Sequence, residues 1–181
     1  MRLLQIILLV IFISSCNSEE DFIAPKLDEY DLEVISYFKE IALGFEFGSS
    51  SKITRKWCSD LKVYIGGETN SLLLDELNKI MDEISSLTTD NFNMEIVSDS
   101  LLSNYYIFFG KGEDYAKMFP GSSSYVNNNW GLFSLWYDSS NCLYRGHMYV
   151  DTQRADFIQA KHLLREEFTQ SLGLARDSDK Y

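Results

Sequence analysis

Glu166 to Asp177 read EEFTQSLGLARD, and how that stretch is read decides the fold. At about 100° per residue, a helix through it sets Phe157, Leu164, Phe168 and Leu172 on one face and His162, Glu166 and Gln170 on the opposite one. Gly173 then supplies a stop, because glycine enters the left-handed region without strain. The pattern suits a helix packed on a sheet below and lining a cleft above. It suits an amphipathic surface helix with a solvated polar face equally well. Glu166 and Glu167 do not form an acid/base pair: neighbours on a helix point about 100° apart, whereas paired carboxylates converge on one bond.

The spacing also fits the zinc-peptidase pattern H-E-x-x-H-x-x-G-x-x-H. There the first two histidines present both imidazoles from one helix face, the adjoining glutamate is the general base, and the glycine swings the chain towards a third ligand. In this frame Glu167 takes the place of the base and Gly173 of the turn, while the ligand positions fall on Glu166, Gln170 and Arg176. A carboxylate can bind zinc, but Gln170 offers only a neutral amide oxygen and Arg176 has no lone pair to give. The chain holds two histidines, His147 and His162, so a three-histidine site is excluded. No stoichiometric zinc or other cofactor is expected, and Arg176 is expected to pair with Asp177 or Glu166. A weakly held divalent metal would draw on His162, Glu166, Gln170 and Asp177.

The N-terminus reads as an export signal. Met1-Arg2 is a minimal positive start, Leu3 to Ile13 an apolar core, and Ile13-Ser14-Ser15-Cys16 a small-residue cleavage site ending in cysteine. The core is too short to span a membrane as a mature helix. Cys16 in this setting resembles the lipobox of bacterial lipoproteins, which implies acylation of its thiol and anchoring in membrane lipid. The acidic run Asn17-Ser18-Glu19-Glu20-Asp21 resembles the surface-export signal of lipoproteins in the Bacteroidetes group, and is read equally as a solvated leader. The expected organisation is a signal peptide over 1–15, a lipidated cysteine and acidic tether over 16–29, and one domain over 30–181. The expected location is the bacterial outer membrane, facing the periplasm or the surface.

Cleavage before Cys16 removes Arg2 and leaves 15 basic and 27 acidic residues, a formal charge of −12. Such acidity disfavours nucleic acid and anionic lipid as partners and does not choose among peptides, glycans and cations; a protein or peptide partner is the expectation. With Cys16 lipidated, Cys58 and Cys142 remain, and an even pair in an oxidising envelope is expected to form a disulfide.

Asp31 to Leu43 has apolar residues at helical spacing and is expected to lay one face on a sheet before stopping at Gly44. Leu61 to Ile65 alternates as a strand ended by Gly66-Gly67, and Ser71 to Leu87 is a periodic helix capped by Asn70 or Thr69. Phe92 to Val97 and Tyr105 to Phe109 read as strands, and Glu113 to Phe119 as a helical turn stopped by Pro120. Gly121 to Trp130 has the small polar residues of a loop. Leu132 to Tyr137 and Leu143 to Asp151 are strands around a turn at Ser139-Ser140-Asn141, and the EEFTQSLG helix runs from about Ala155 to Leu172. The chain carries no repeat, glycine-rich phosphate loop or nucleophile elbow, and its aromatic residues are read as core.

Two further stretches widen the comparison. Tyr37 to Gly48 (YFKEIALGFEFG), with Arg55-Lys56-Trp57 and the strand Leu61 to Gly66, resembles the start of the bacterial family catalogued as domain of unknown function 2927. His162 to Ser178 (HLLREEFTQSLGLARDS) resembles its closing signature. The resemblance runs from about Tyr30 onward and implies a fold similar to that of zinc peptidases. It also implies that Glu166, Glu167, Gln170, Gly173 and Asp177 are family features. Such domains continue past this helix into a lower cleft wall, so an end at Tyr181 implies a short or missing C-terminal subdomain. The expected class is therefore α+β, a mixed β-sheet packed with helices and zincin-like. The expected role is a non-catalytic, metallopeptidase-like binding module in an envelope lipoprotein. Two alternatives stay open: a metal-dependent hydrolase using Glu167 as base, and a structural or adhesive lipoprotein.

Overall fold

A computed structural model describes residues 26–44, 52–68 and 70–178. Chain contacts divide at Glu33/Val34 into two compact units. In the first, Asp28 and Asp31 cap the start of helix α1 (Glu29–Ala42) reciprocally, each carboxylate accepting the other's backbone N–H at 3.0 and 2.8 Å. Of the α1 residues only Ala42 is buried, while Val34 and Phe38 stay exposed. Gly44, at φ 111°, stands just past the helix end.

The second unit is built on a six-stranded sheet: β1 (Lys56–Trp57), β2 (Leu61–Gly67), β3 (Met94–Val97), β4 (Tyr105–Phe109), β5 (Gly131–Tyr137) and β6 (Cys142–Val150). It runs β3-β2-β4-β6 in parallel, β5 closes it antiparallel to β6, and β1 pairs in parallel with the first two residues of β6. The fold is thus mixed α/β with a mostly parallel sheet and four helices among the described residues, where the element pattern suggested α+β. The signal for parallel pairing is the near-continuous apolar run YYIFF of β4, since a parallel strand is covered on both faces and loses the alternation of a half-solvated one.

Helices α2 (Ser71–Ser85) and α4 (Phe157–Ser171) cover one face. Leu73, Leu77 and Ile80 of α2 and Leu164 and Phe168 of α4 are buried with Leu61, Val63, Ile107, Phe109, Met148 and Val150 from the sheet. Asn70 is the α2 cap, its side chain accepting from Leu72 N and Leu73 N. Glu76, only 8% exposed, is the polar intruder on this face. It accepts from Lys161 at 2.7 Å and Arg165 at 2.9 Å, which clamps α2 to α4, and Arg165 reaches on to Glu83 at 2.6 Å. Those two cations hold the Glu76 carboxyl below its usual range. On the other face α3 (Gly112–Met118) and the turns that follow it cover a smaller cluster of Phe108, Tyr115, Val126, Leu132 and Tyr149.

A disulfide joins Cys58 to Cys142 across 84 positions of sequence and ties the end of β1 to the start of β6. In the chain-entropy picture a loop of that length gives about 4–5 kcal/mol at most. No helix among the described residues is long and apolar enough to cross a membrane. Cys16 and the stretch before it lie outside the described residues.

Candidate functional site

The site is built on α4. Asp156 opens this helix with a full capping box, accepting from Gln159 N while Gln159 Oε1 accepts from Asp156 N, both at 2.9 Å. The apolar face enters the core through Ala160, Leu164 and Phe168. Phe157, assigned to that face by its spacing, is 43% exposed instead. As the first helical residue it precedes the sheet contact, and Lys161 lies over its ring at 5.7 Å. At the other end Leu172 N and Gly173 N donate to Thr169 O and Gln170 O. Gly173 has φ 127°, and a β-carbon there would stand 2.3 Å from Arg55 O, so both conformation and space require glycine.

The polar face divides into separate pairs. His162 Nε2 lies 3.6 Å from Glu166 Oε2, one turn apart, on a side chain 77% exposed. Gln170 Nε2 donates to Asp177 Oδ1, which folds the segment after Gly173 back over the last turn. Arg176 is exposed, so the partner of Asp177 is Gln170 and that of Glu166 is His162, in place of the arginine. The amide of Gln170 is thereby engaged as a donor. Among the described residues no group of three or more His, Cys, Asp or Glu side chains converges in a way that could hold a metal ion.

Glu167 points elsewhere. Its half-buried side chain runs along Gly131, the first residue of β5, where an added β-carbon would meet Oε1 at 2.9 Å and Cγ at 3.0 Å. Glycine at 131 therefore lets the glutamate of α4 lie directly against the edge strand. Beneath it Tyr105 is wholly buried, ringed edge-on by Trp57 and Phe168. Burial, and then the charge of Glu167, push that phenol far above its usual range.

A second polar cluster on the opposite face and at the end of β6 escaped the reading of the sequence. Asp151, 2% exposed, accepts from Gly112 N, Gln153 N, Arg154 N and Arg154 Nε, the last at 2.8 Å. Burial alone would raise its carboxyl, but these donors outweigh it and hold it low. Arg154 donates on to the carbonyls of Val126, Asn127 and Asn129 and to the Tyr149 hydroxyl, pinning the 121–130 loop to the strand. Next to it His147, 5% exposed, bonds Tyr115 through Nδ1 and lies between Phe119 and Trp136. Burial, aided by Arg145, pushes its imidazole down to about 4, so it is neutral near pH 7. The available signal was the D-T-Q-R spacing after β6, in which an Asp accepts from the backbone two and three residues on. A cavity of about 220 Å³ opens beside this cluster, lined by Lys111, Glu113, Asn127 and Gln153, with no α4 residue in its wall.

The chain matches the family described as Protein of unknown function (DUF2927) over residues 31–181, and it belongs to that family. None of the curated proteins matches it.

Proposed function

We propose that this member of the family is a lipid-anchored component of a bacterial envelope or cell surface. On this reading it binds an extended peptide or a protein partner on a zinc-peptidase-like scaffold without cleaving it. The observation that carries the reading is Glu167 lying along Gly131, at the start of edge strand β5, while of the ligand positions Glu166 pairs with His162, Gln170 with Asp177, and Arg176 is exposed. Among the described residues β5 pairs only with β6, and no described strand lies on its other edge. An open strand edge takes up an extended peptide as one more strand, main-chain hydrogen bonds giving affinity and neighbouring side chains giving selection. Glu167 of α4, lying against Gly131, is the side chain nearest the start of that strand.

Zinc does not fit this donor set. A neutral glutamine amide and an exposed guanidinium with no lone pair stand where two of three ligands belong, so no step of chemistry is assigned to a metal. The anchor is supported by the ordered signal ending at Cys16, since two or more acyl chains hold a protein on a membrane where one is marginal. The acidic charge supports a partner other than nucleic acid.

The test is retention of a library of unstructured peptides by the purified protein, with and without added zinc. Uncleaved peptide is expected to be retained, unaltered by Glu167→Gln. Cleavage abolished by Glu167→Gln, with about one zinc per chain lost in His162→Ala, would put a hydrolase in place of the binding module. Absence of both retention and cleavage would leave a structural or adhesive lipoprotein. Cys16→Ser is expected to abolish acyl labelling and release the protein from membranes; unchanged retention without labelling would remove the anchor from the account.

A further inference from the structure

Strands β4 and β6 are parallel neighbours, and the chain leaves them for opposite faces of the sheet. From β4 it enters α3, which covers Phe108 and Tyr149; from β6 it enters α4, which packs over Met148 and Val150. Parallel sheets open a crevice outside the carboxyl ends of strands whose connections part in this way, and small molecules bind there. The cavity of about 220 Å³ lies at that place, with Lys111 and Glu113 following β4 and Gln153 following β6. The end of β2 braces it. Glu68 N donates to Phe109 O, and the Glu68 carboxylate accepts from Thr152 Oγ1 at 2.9 Å and Gln153 Nε2 at 2.6 Å.

Part of the wall is already spent. Asp151 and Arg154 bond each other and the surrounding backbone, and Gln153 is held by Glu68. Lys111, Glu113 and Asn127 also line the cavity, and among the described residues their side chains make no hydrogen bond or ion pair. They offer an ammonium donor, a carboxylate acceptor and an amide that does both. The fixed charges of the wall cancel, Lys111 and Arg154 against Glu113 and Asp151, so a ligand with net charge of either sign meets repulsion as well as attraction. Hydroxyl groups, which donate and accept, match all three free groups. The volume lies below the about 300–1,000 Å³ of sites for drug-sized molecules, which suits a single small ring. Trp130, 40% exposed and with the Arg154 guanidinium 5.9 Å from its ring, sets an aromatic side chain beside the wall. We propose that this cavity binds one neutral saccharide ring, its hydroxyls accepting from Lys111 Nζ, donating to the Glu113 carboxylate and bonding the Asn127 amide. The site is separate from the α4 face, none of whose residues lines it.

Calorimetric titration of the purified protein with methyl hexosides, N-acetylglucosamine, alanine and inorganic phosphate tests it. At least one of the sugars is expected to bind with a Kd of about 1 mM or below, and neither alanine nor phosphate is expected to bind. Lys111→Met and Glu113→Gln are each expected to weaken binding of that sugar at least about tenfold and Asn127→Ala about fivefold, because hydrogen bonds to charged groups are the stronger. All three side chains are exposed, so these variants are expected to melt as the unaltered protein does. Lys117→Ala, on α3 but outside the wall, is expected to leave sugar binding unchanged. Failure of every sugar to bind would overturn the proposal, as would binding of alanine or phosphate in their place. Sugar binding that survives the three wall substitutions, or that falls equally in Lys117→Ala, would overturn its assignment to this cavity.

Discussion

The cluster at the end of β6 and the polar face of α4 use similar residues in opposite ways. Asp151 is buried and its oxygens accept from Gly112, Gln153 and Arg154, whereas Glu166 is half-exposed with the exposed His162 3.6 Å away as its neighbour. A buried charge is tolerated only when its partners are complete, so Asp151 and Arg154 are fixed parts of the framework. Loosely paired groups at the surface cost little to rearrange, and a face that must accommodate a partner is drawn from such groups. The contrast separates what holds this protein together from what it has free to offer.

Breaking the buried side has the largest effect. Asp151→Ala leaves Gly112 N and the Arg154 guanidinium without their acceptor and is expected to lower unfolding free energy by about 3–5 kcal/mol in denaturant titration. A loss under about 1 kcal/mol would erase the distinction just drawn.

His147 extends the same side into pH. Its folded value near 4 lies below the ordinary 6.5, so on acidification the unfolded chain takes up a proton that the folded chain refuses. Stability is therefore expected to fall between about pH 6.5 and 4, by at most about 1.4 kcal/mol per pH unit, and His147→Gln is expected to flatten that limb. Asp151 and Glu76 act lower still: their folded values are depressed, so their contribution is present above the usual carboxylate range and is lost as pH falls through the folded values.

Glu76 sits between the two extremes, buried itself but paired with half-exposed cations. Glu76→Gln is expected to cost about 1–2 kcal/mol, read in the same titration. The smallest effect belongs to the open side. Glu166→Ala and His162→Ala are each expected to change stability by less than about 0.5 kcal/mol. A larger loss at either position would assign α4's polar face to the framework.

The helices and most strands were legible because they rest on local signals: the period of α2, the Asn70 cap, the Gly173 stop and the Pro120 break. Strand β1 was not, since two residues carry no period, and its place depends on Cys142 and Leu143 far along the chain. Phe157 misled because helical spacing gives an angle about the axis and says nothing of where along the axis the sheet ends. The separation of His162–Glu166 from Gln170–Asp177 depends on how the chain turns after Gly173, which the spacing of the motif leaves open. The Asp151–Arg154 and His147–Tyr115 contacts join strand ends to a helix and a loop, and no window of sequence contains all their members.

Strand β6 has a consequence for how this chain acquires its structure. Among the described residues it is the last strand in sequence, yet β1, β4 and β5 all pair with it. A growing chain that has reached only Asn141 holds β4 without its neighbour on one side, β5 without any strand to pair with, and Cys58 without its partner thiol. The β5–β6 hairpin is local, but the β1–β6 and β4–β6 pairings are distant in sequence, and such pairings make folding slow and place its decisive step late. The sheet is therefore built to assemble only once β6 has been made.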